Sequence, residues 1–134
     1  MSKAVDPTNC APTDFPFPED IKGASYRLFP IELENDPLVA FHGTAEKNLG
    51  SIIDQGFKFK GDLQSCSFAT SSSGALTYAC EGRSEDSPSG CVVAVRFGSL
   101  AGVVAEPCMI HVYKEDRMPE VIGYCIVPAA YSHI

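Results

Sequence analysis

Positive charge is scarce in this chain: ten Lys and Arg stand against seventeen Asp and Glu, a formal net charge of −7 over 134 residues. That balance argues against a basic nucleic-acid footprint. No apolar run approaches membrane-spanning length. Met1-Ser2-Lys3 leads into Asp6, Asn9, Pro12 and Asp14 rather than into the apolar core of a signal peptide, so a cytoplasmic location is the expectation. There is no P-loop and no GxGxxG, and phosphate cradling of those kinds is not indicated. None of the six cysteines (Cys10, Cys66, Cys80, Cys91, Cys108, Cys125) forms a CxxC pair. His42, His111 and His133 sit near none of them at zinc-finger spacing, so no metal is expected. Most of the thiols read as small buried hydrophobes; disulfides would need an oxidising compartment. No internal repeat and no second domain is evident.

What is present is the composition of a soluble globular protein, 45% apolar and 20% charged. Residues 1–20 read as an extended N-terminal arm, because Pro7, Pro12, Pro16 and Pro18 exclude helix, with Phe15 and Phe17 able to pin it to a core. Residues 21–134 form the single domain. Tyr26–Phe29 and Ile31–Leu33 read as short strands around Pro30. Leu38–Phe41 is a compact apolar run. Thr44 is a fair N-cap for a helix over Ala45–Gln55, whose Leu49, Ile52 and Ile53 share one face, and Gly56-Phe57 ends it. Ser67–Thr70 reads as a strand, Ser71–Ser73 as the cap of a helix over Gly74–Cys80, and Glu81–Gly90 as a polar loop. Strands follow at Cys91–Phe97, Val103–Ala105, Cys108–Tyr113 and Glu120–Val127. Two short helices among many strands give an α+β class with largely antiparallel pairing.

Chemistry is most legible at His42-Gly43, directly after the buried run. A histidine there can donate to a sugar hydroxyl, and a glycine leaves its peptide open to close approach. A carboxamide presents one donor and one acceptor, which an exposed peptide unit matches. The same three residues, His42-Gly43-Thr44, also fit a plain turn before a helix cap. His111 alternates with apolar neighbours as a core or edge-strand histidine does.

The order Phe41-His42-Gly43-Thr44, a helix with Leu49, Ile52 and Ile53, Gly56-Phe57, Ser67-Phe68-Ala69, Ala75 to Ala79 with Tyr78, then Gly90 to Val95 resembles the diphtheria-toxin-like, poly(ADP-ribose)-polymerase-like branch of the ADP-ribosyltransferases. The resemblance implies split antiparallel sheets with two short helices. It also implies a site for NAD as co-substrate, built from His42, Gly43, Thr44, Phe68, Ala69, Ala75 and Tyr78. His42 would bind the nicotinamide-side ribose, Gly43 the amide, and Tyr78 would stack on the ring. Ser67 stands where the family usually has a tyrosine. The family's late-strand carboxylate falls on Glu120, the only acid of its strand; a register set on the downstream Tyr-x-x-Val pattern puts Gly123 there instead. The catalytic set implied is His42, Ser67 and Glu120, moving ADP-ribose to a protein, nucleic acid or small molecule with loss of nicotinamide. Such chemistry passes through an oxocarbenium-like state that a nearby carboxylate stabilises. Two further readings stay open: an impaired module that binds NAD, ADP-ribose or a protein partner, and an RNA 2′-phosphotransferase-like enzyme, which shares the HGT-type start.

Overall fold

The computed structural model describes residues 11–57 and 65–132; residues 1–10 of the expected arm, Cys10 and His133 lie outside them. In chain order the elements are β1 (Thr13–Phe15), α1 (Ile31–Glu34), β2 (Val39–Ala45), α2 (Leu49–Gln55), β3 (Cys66–Ala69), α3 (Ser72–Glu81), β4 (Gly90–Arg96), β5 (Val104–Ala105), β6 (Met109–Val112) and β7 (Glu120–Val127). They build a mixed α+β fold around one seven-stranded sheet in the order β1-β7-β4-β2-β3-β6-β5. No described helix is long and apolar enough to cross a membrane.

The continuous apolar run Cys91–Val95 takes a central position because it has two faces to bury. Val92 and Ala94 join one cluster with Phe29, Phe41, Leu76 and Ala79. Cys91, Val93 and Val95 join another with Leu49, Ile52, Phe68 and Phe97. A strand covered on both sides loses the alternation of a half-exposed one. Helix α3 therefore covers one face and α2 the other. Part of the expected arm belongs to the sheet: Thr13, Asp14 and Phe15 pair in parallel with Gly123, Tyr124 and Cys125.

Four expectations need correction. Tyr26–Leu33 holds no strand. Ser25 and Tyr26 occupy the left-handed region (φ 55° and 61°), and the Leu28 and Phe29 N–H groups donate to the Glu34 carboxylate at 3.2 and 3.1 Å instead of to a ladder. Pro30, with its preset φ, leads directly into the single turn of α1. Thr44 is not a helix N-cap, because β2 continues to Ala45 opposite Gly90 and only a 3₁₀ turn, Glu46–Asn48, precedes α2; strand pairing outweighs the local cap signal. The described residues form three short α-helices rather than two. The split sheets are one sheet with a narrow joint, since Phe41–Ala69 is the single β2–β3 pair among the described residues.

Two devices fix α3. Ser71 Oγ accepts from Gly74 N–H at 3.1 Å and caps it. The fully buried Ser72 donates to Glu34 at 2.5 Å while accepting from Leu28 N–H at 3.1 Å. Hydrogen bonds to a carboxylate are about twice as strong as neutral ones, so Glu34 ties the 28–34 segment to the start of α3.

Candidate functional site

Antiparallel residues alternate in the direction of their hydrogen-bonding groups. Phe97 N–H donates to Leu38 C=O at 2.8 Å and Glu46 N–H to Ser89 C=O at 3.0 Å, in the register that pairs His42 with Val93. The even residues of β2 thus turn their peptide groups toward β4, and the odd ones, Phe41 and Gly43, toward β3. Phe41 meets Ala69 there. At Gly43 the ladder has already stopped, and its N–H and C=O edge faces a gap between the strands.

That gap opens into a cavity of about 430 Å³ lined by His42, Gly43, Ser67, Ala69, Ala75 and Tyr78, with Phe41, Ser65, Cys66 and Met109 completing the wall. The size lies within the roughly 300–1,000 Å³ of small-molecule sites. Tyr78 projects from α3 with 53% of its surface exposed, an aromatic face left to solvent at the rim. The His42 ring reaches the other face of the sheet, packing on Phe57 at 4.9 Å and Phe68 at 5.8 Å between centroids. Its Nδ1 lies 3.4 Å from the Ser67 carbonyl.

Three residues named from the sequence lie elsewhere. Phe68 is fully buried beneath His42. Thr44 Oγ1 accepts from Asn48 Nδ2 at 2.9 Å and does not line the cavity. Glu120 is exposed at the start of β7, opposite Arg96, whose guanidinium pairs with Asp36 at 3.2 Å. β7 is two strands from β2, about 10 Å away, and Glu120 lies three residues along from the His42 row, about 10 Å more. Gly123 shares the transverse row of Phe41 and Ala69. A Cβ on it would meet the Phe15 ring at 2.6 Å, so the arm fills the space a side chain there would need.

The sequence did not reveal a polar chain on β3 and β6. Ser67 Oγ lies 2.8 Å from His111 Nδ1, and His111 Nε2 lies 3.1 Å from Glu106 Oε1. Ser67 and His111 are direct cross-strand partners, although 44 positions apart. Only the sheet order brings them together, and the alternating pattern around His111 marked no more than a strand.

Cys66 lines the cavity, and burial pushes its thiol up to about 11. Burial pushes the free Cys91 and Cys125 thiols up to about 12, with the Glu46 charge adding at Cys91 and the Asp14 charge at Cys125. In the unfolded chain these thiols ionise near 9. Between pH 9 and 12 the folded state holds more protons, so their contribution to stability is complete below about pH 9 and is lost as pH rises toward 12. Thermal melts are expected to fall over that interval, and Cys125→Ala to shallow the slope. At pH 8 a thiol reagent is expected to leave Cys91 and Cys125 unmodified until the protein unfolds; rapid native modification of both contradicts their burial.

Among the described residues no group of three or more His, Cys, Asp or Glu side chains is placed to hold a metal ion. No protein-family model, curated protein or solved structure matches the chain.

Proposed function

We propose that the cavity binds the nicotinamide–ribose half of NAD, and that the chain is a minimal ADP-ribosyltransferase-like protein using NAD as co-substrate. One observation carries the reading. Six of the residues that the resemblance implies for such a site, His42, Gly43, Ser67, Ala69, Ala75 and Tyr78, border one cavity at the gap where β2 and β3 part. A flat, amide-bearing ring suits the place. Phe41, Ala69, Ala75 and Met109 offer apolar walls, Tyr78 a stacking face, and the Gly43 peptide edge one donor and one acceptor for the carboxamide. His42 borders the cavity, and by the resemblance it would bind the ribose. The adenine half would extend beyond the cavity.

A second reading, a module that binds NAD or ADP-ribose without transfer, is favoured by one placement: Glu120 lies outside the cavity wall and Gly123 offers no side chain. Calorimetry with NAD, followed by chromatography for released nicotinamide, separates the two. Both readings expect measurable binding, and Tyr78→Ala is expected to weaken it about tenfold, the ~1.4 kcal/mol of a lost aromatic stack. Tyr78 is exposed, so that variant keeps the fold. Absence of binding by the parent protein would sink both readings, and binding without nicotinamide release would leave the second.

A further inference from the structure

We infer that Ser67, His111 and Glu106 form a proton relay that leads from the cavity wall to solvent, and that the ADP-ribose acceptor served by this site is a hydroxyl, water being the smallest. The inference rests on the NAD reading above and names the second substrate.

The hydrogen-bond pattern fixes the direction of the relay. The Glu106 carboxylate accepts from Nε2–H of His111 at 3.1 Å, which leaves Nδ1 as the acceptor of the neutral ring. Ser67 O–H then donates to Nδ1 at 2.8 Å. The Ser67 oxygen keeps its lone pairs for a further donor, and Ser67 is itself part of the cavity wall while His111 is not. A serine, a histidine and a carboxylate arranged in this order constitute a general-base array whatever fold carries it. The His111 side chain is 23% exposed and that of Glu106 57%, so a proton collected on the ring has a short exit to water.

Acceptor chemistry selects the hydroxyl. A carboxylate acceptor brings no proton to remove, and a guanidinium acceptor calls for an anionic partner, which the described residues of the cavity wall lack. A hydroxyl must shed one proton as it attacks. The acceptor oxygen bonds to the anomeric carbon of the nicotinamide-side ribose while the bond from that carbon to the ring nitrogen breaks. The bonding pair goes to nicotinamide, which leaves neutral. The acceptor proton passes to Ser67 Oγ as the Ser67 proton passes to His111 Nδ1, and the imidazolium, held by Glu106, releases one proton to solvent. Ser67 is the catalytic residue; His111 and Glu106 act through it.

The test uses the full chain in three measurements. Ring ¹⁵N spectra of the free protein are expected to show His111 as the Nε2–H tautomer, and Glu106→Gln to disturb that signal. With NAD, His111→Ala is expected to lower nicotinamide release about a hundredfold while calorimetric NAD affinity stays within about twofold, and added imidazole to restore part of the rate. In buffer containing methanol, the products are expected to divide between ADP-ribose and its methyl riboside. An Nδ1–H tautomer, turnover unchanged by His111→Ala, or NAD binding with no hydrolysis or methanolysis overturns the relay and leaves the NAD site standing. No NAD binding at all fails the underlying reading, and the acceptor assignment falls with it.

Discussion

Gly43→Ala is expected to destabilise the protein by about 3 kcal/mol or more, seen as a drop of about 10 °C or more in the thermal midpoint. A Cβ at this position would stand 1.9 Å from the Ala75 carbonyl oxygen and 2.7 Å from the Ala79 nitrogen. Both are backbone atoms of α3, so no rotamer change relieves the contact. The helix cannot withdraw cheaply either. Its first turn is capped by Ser71 and tied through Ser72 to Glu34. Gly90 on β4 meets it in the same way, with 2.2 Å between a Cβ there and the Ala79 carbonyl oxygen. Gly43, Gly90, Ala75 and Ala79 form a seam along which the helix backbone rests directly on the sheet. Gly50→Ala is the matched control. It is exposed in α2 with nothing within 4 Å of its Cβ, and is expected to gain up to about 1 kcal/mol. A loss below about 1 kcal/mol in Gly43→Ala would mean that α3 does not sit on this seam. The presence of glycine at 43 has a packing cause of its own. What suits Gly43 to a ligand is therefore the direction of its peptide edge, not its lack of a side chain.

That distinction shows what a reading of the sequence reaches. The strand Glu120–Val127 was legible to the residue, and the cap at Ser71 and the end of α2 at Gly56 (φ 74°) nearly so, because each is written in local pattern or backbone chemistry. Segment 26–34 was not, because its N–H groups are satisfied by one carboxylate several positions away. The extent of β2 was not, because Gly90 and Cys91 hold Thr44 and Ala45 in the ladder. Of the site, the β2 and α3 residues could be named from their order. The Ser67–His111–Glu106 chain could not, since it depends on β3 and β6 being neighbours in one register. Glu120 is the only acid on its strand, which a local pattern can show, but strand order sets it two strands away from His42.

Phe68→Ala is expected to cost about 3–5 kcal/mol, the usual range for emptying a buried phenylalanine site, with denaturant melts as the measure. Phe68 has no exposed surface and its ring meets three others: Phe57 at 5.0 Å, Phe97 at 5.7 Å and His42 at 5.8 Å. Those partners come from the far side of the sheet joint. His42 lies on β2, Phe97 directly follows β4, and Phe57 follows α2. Among the described residues, backbone pairing across the joint amounts to the single Phe41–Ala69 pair, so side-chain packing must help hold β3, β6 and β5 to the remaining strands. This ring cluster does that on the α2 face. The same contacts fix the His42 ring, so Phe68→Ala is also expected to weaken NAD binding although Phe68 is absent from the cavity wall. Phe68→Leu, which keeps most of the volume, is expected to lose much less stability and to retain His42 in place. A destabilisation under about 1 kcal/mol for the alanine variant would show that the joint is held elsewhere, and the narrow β2–β3 contact would then have to bear a load that one residue pair is too small to carry.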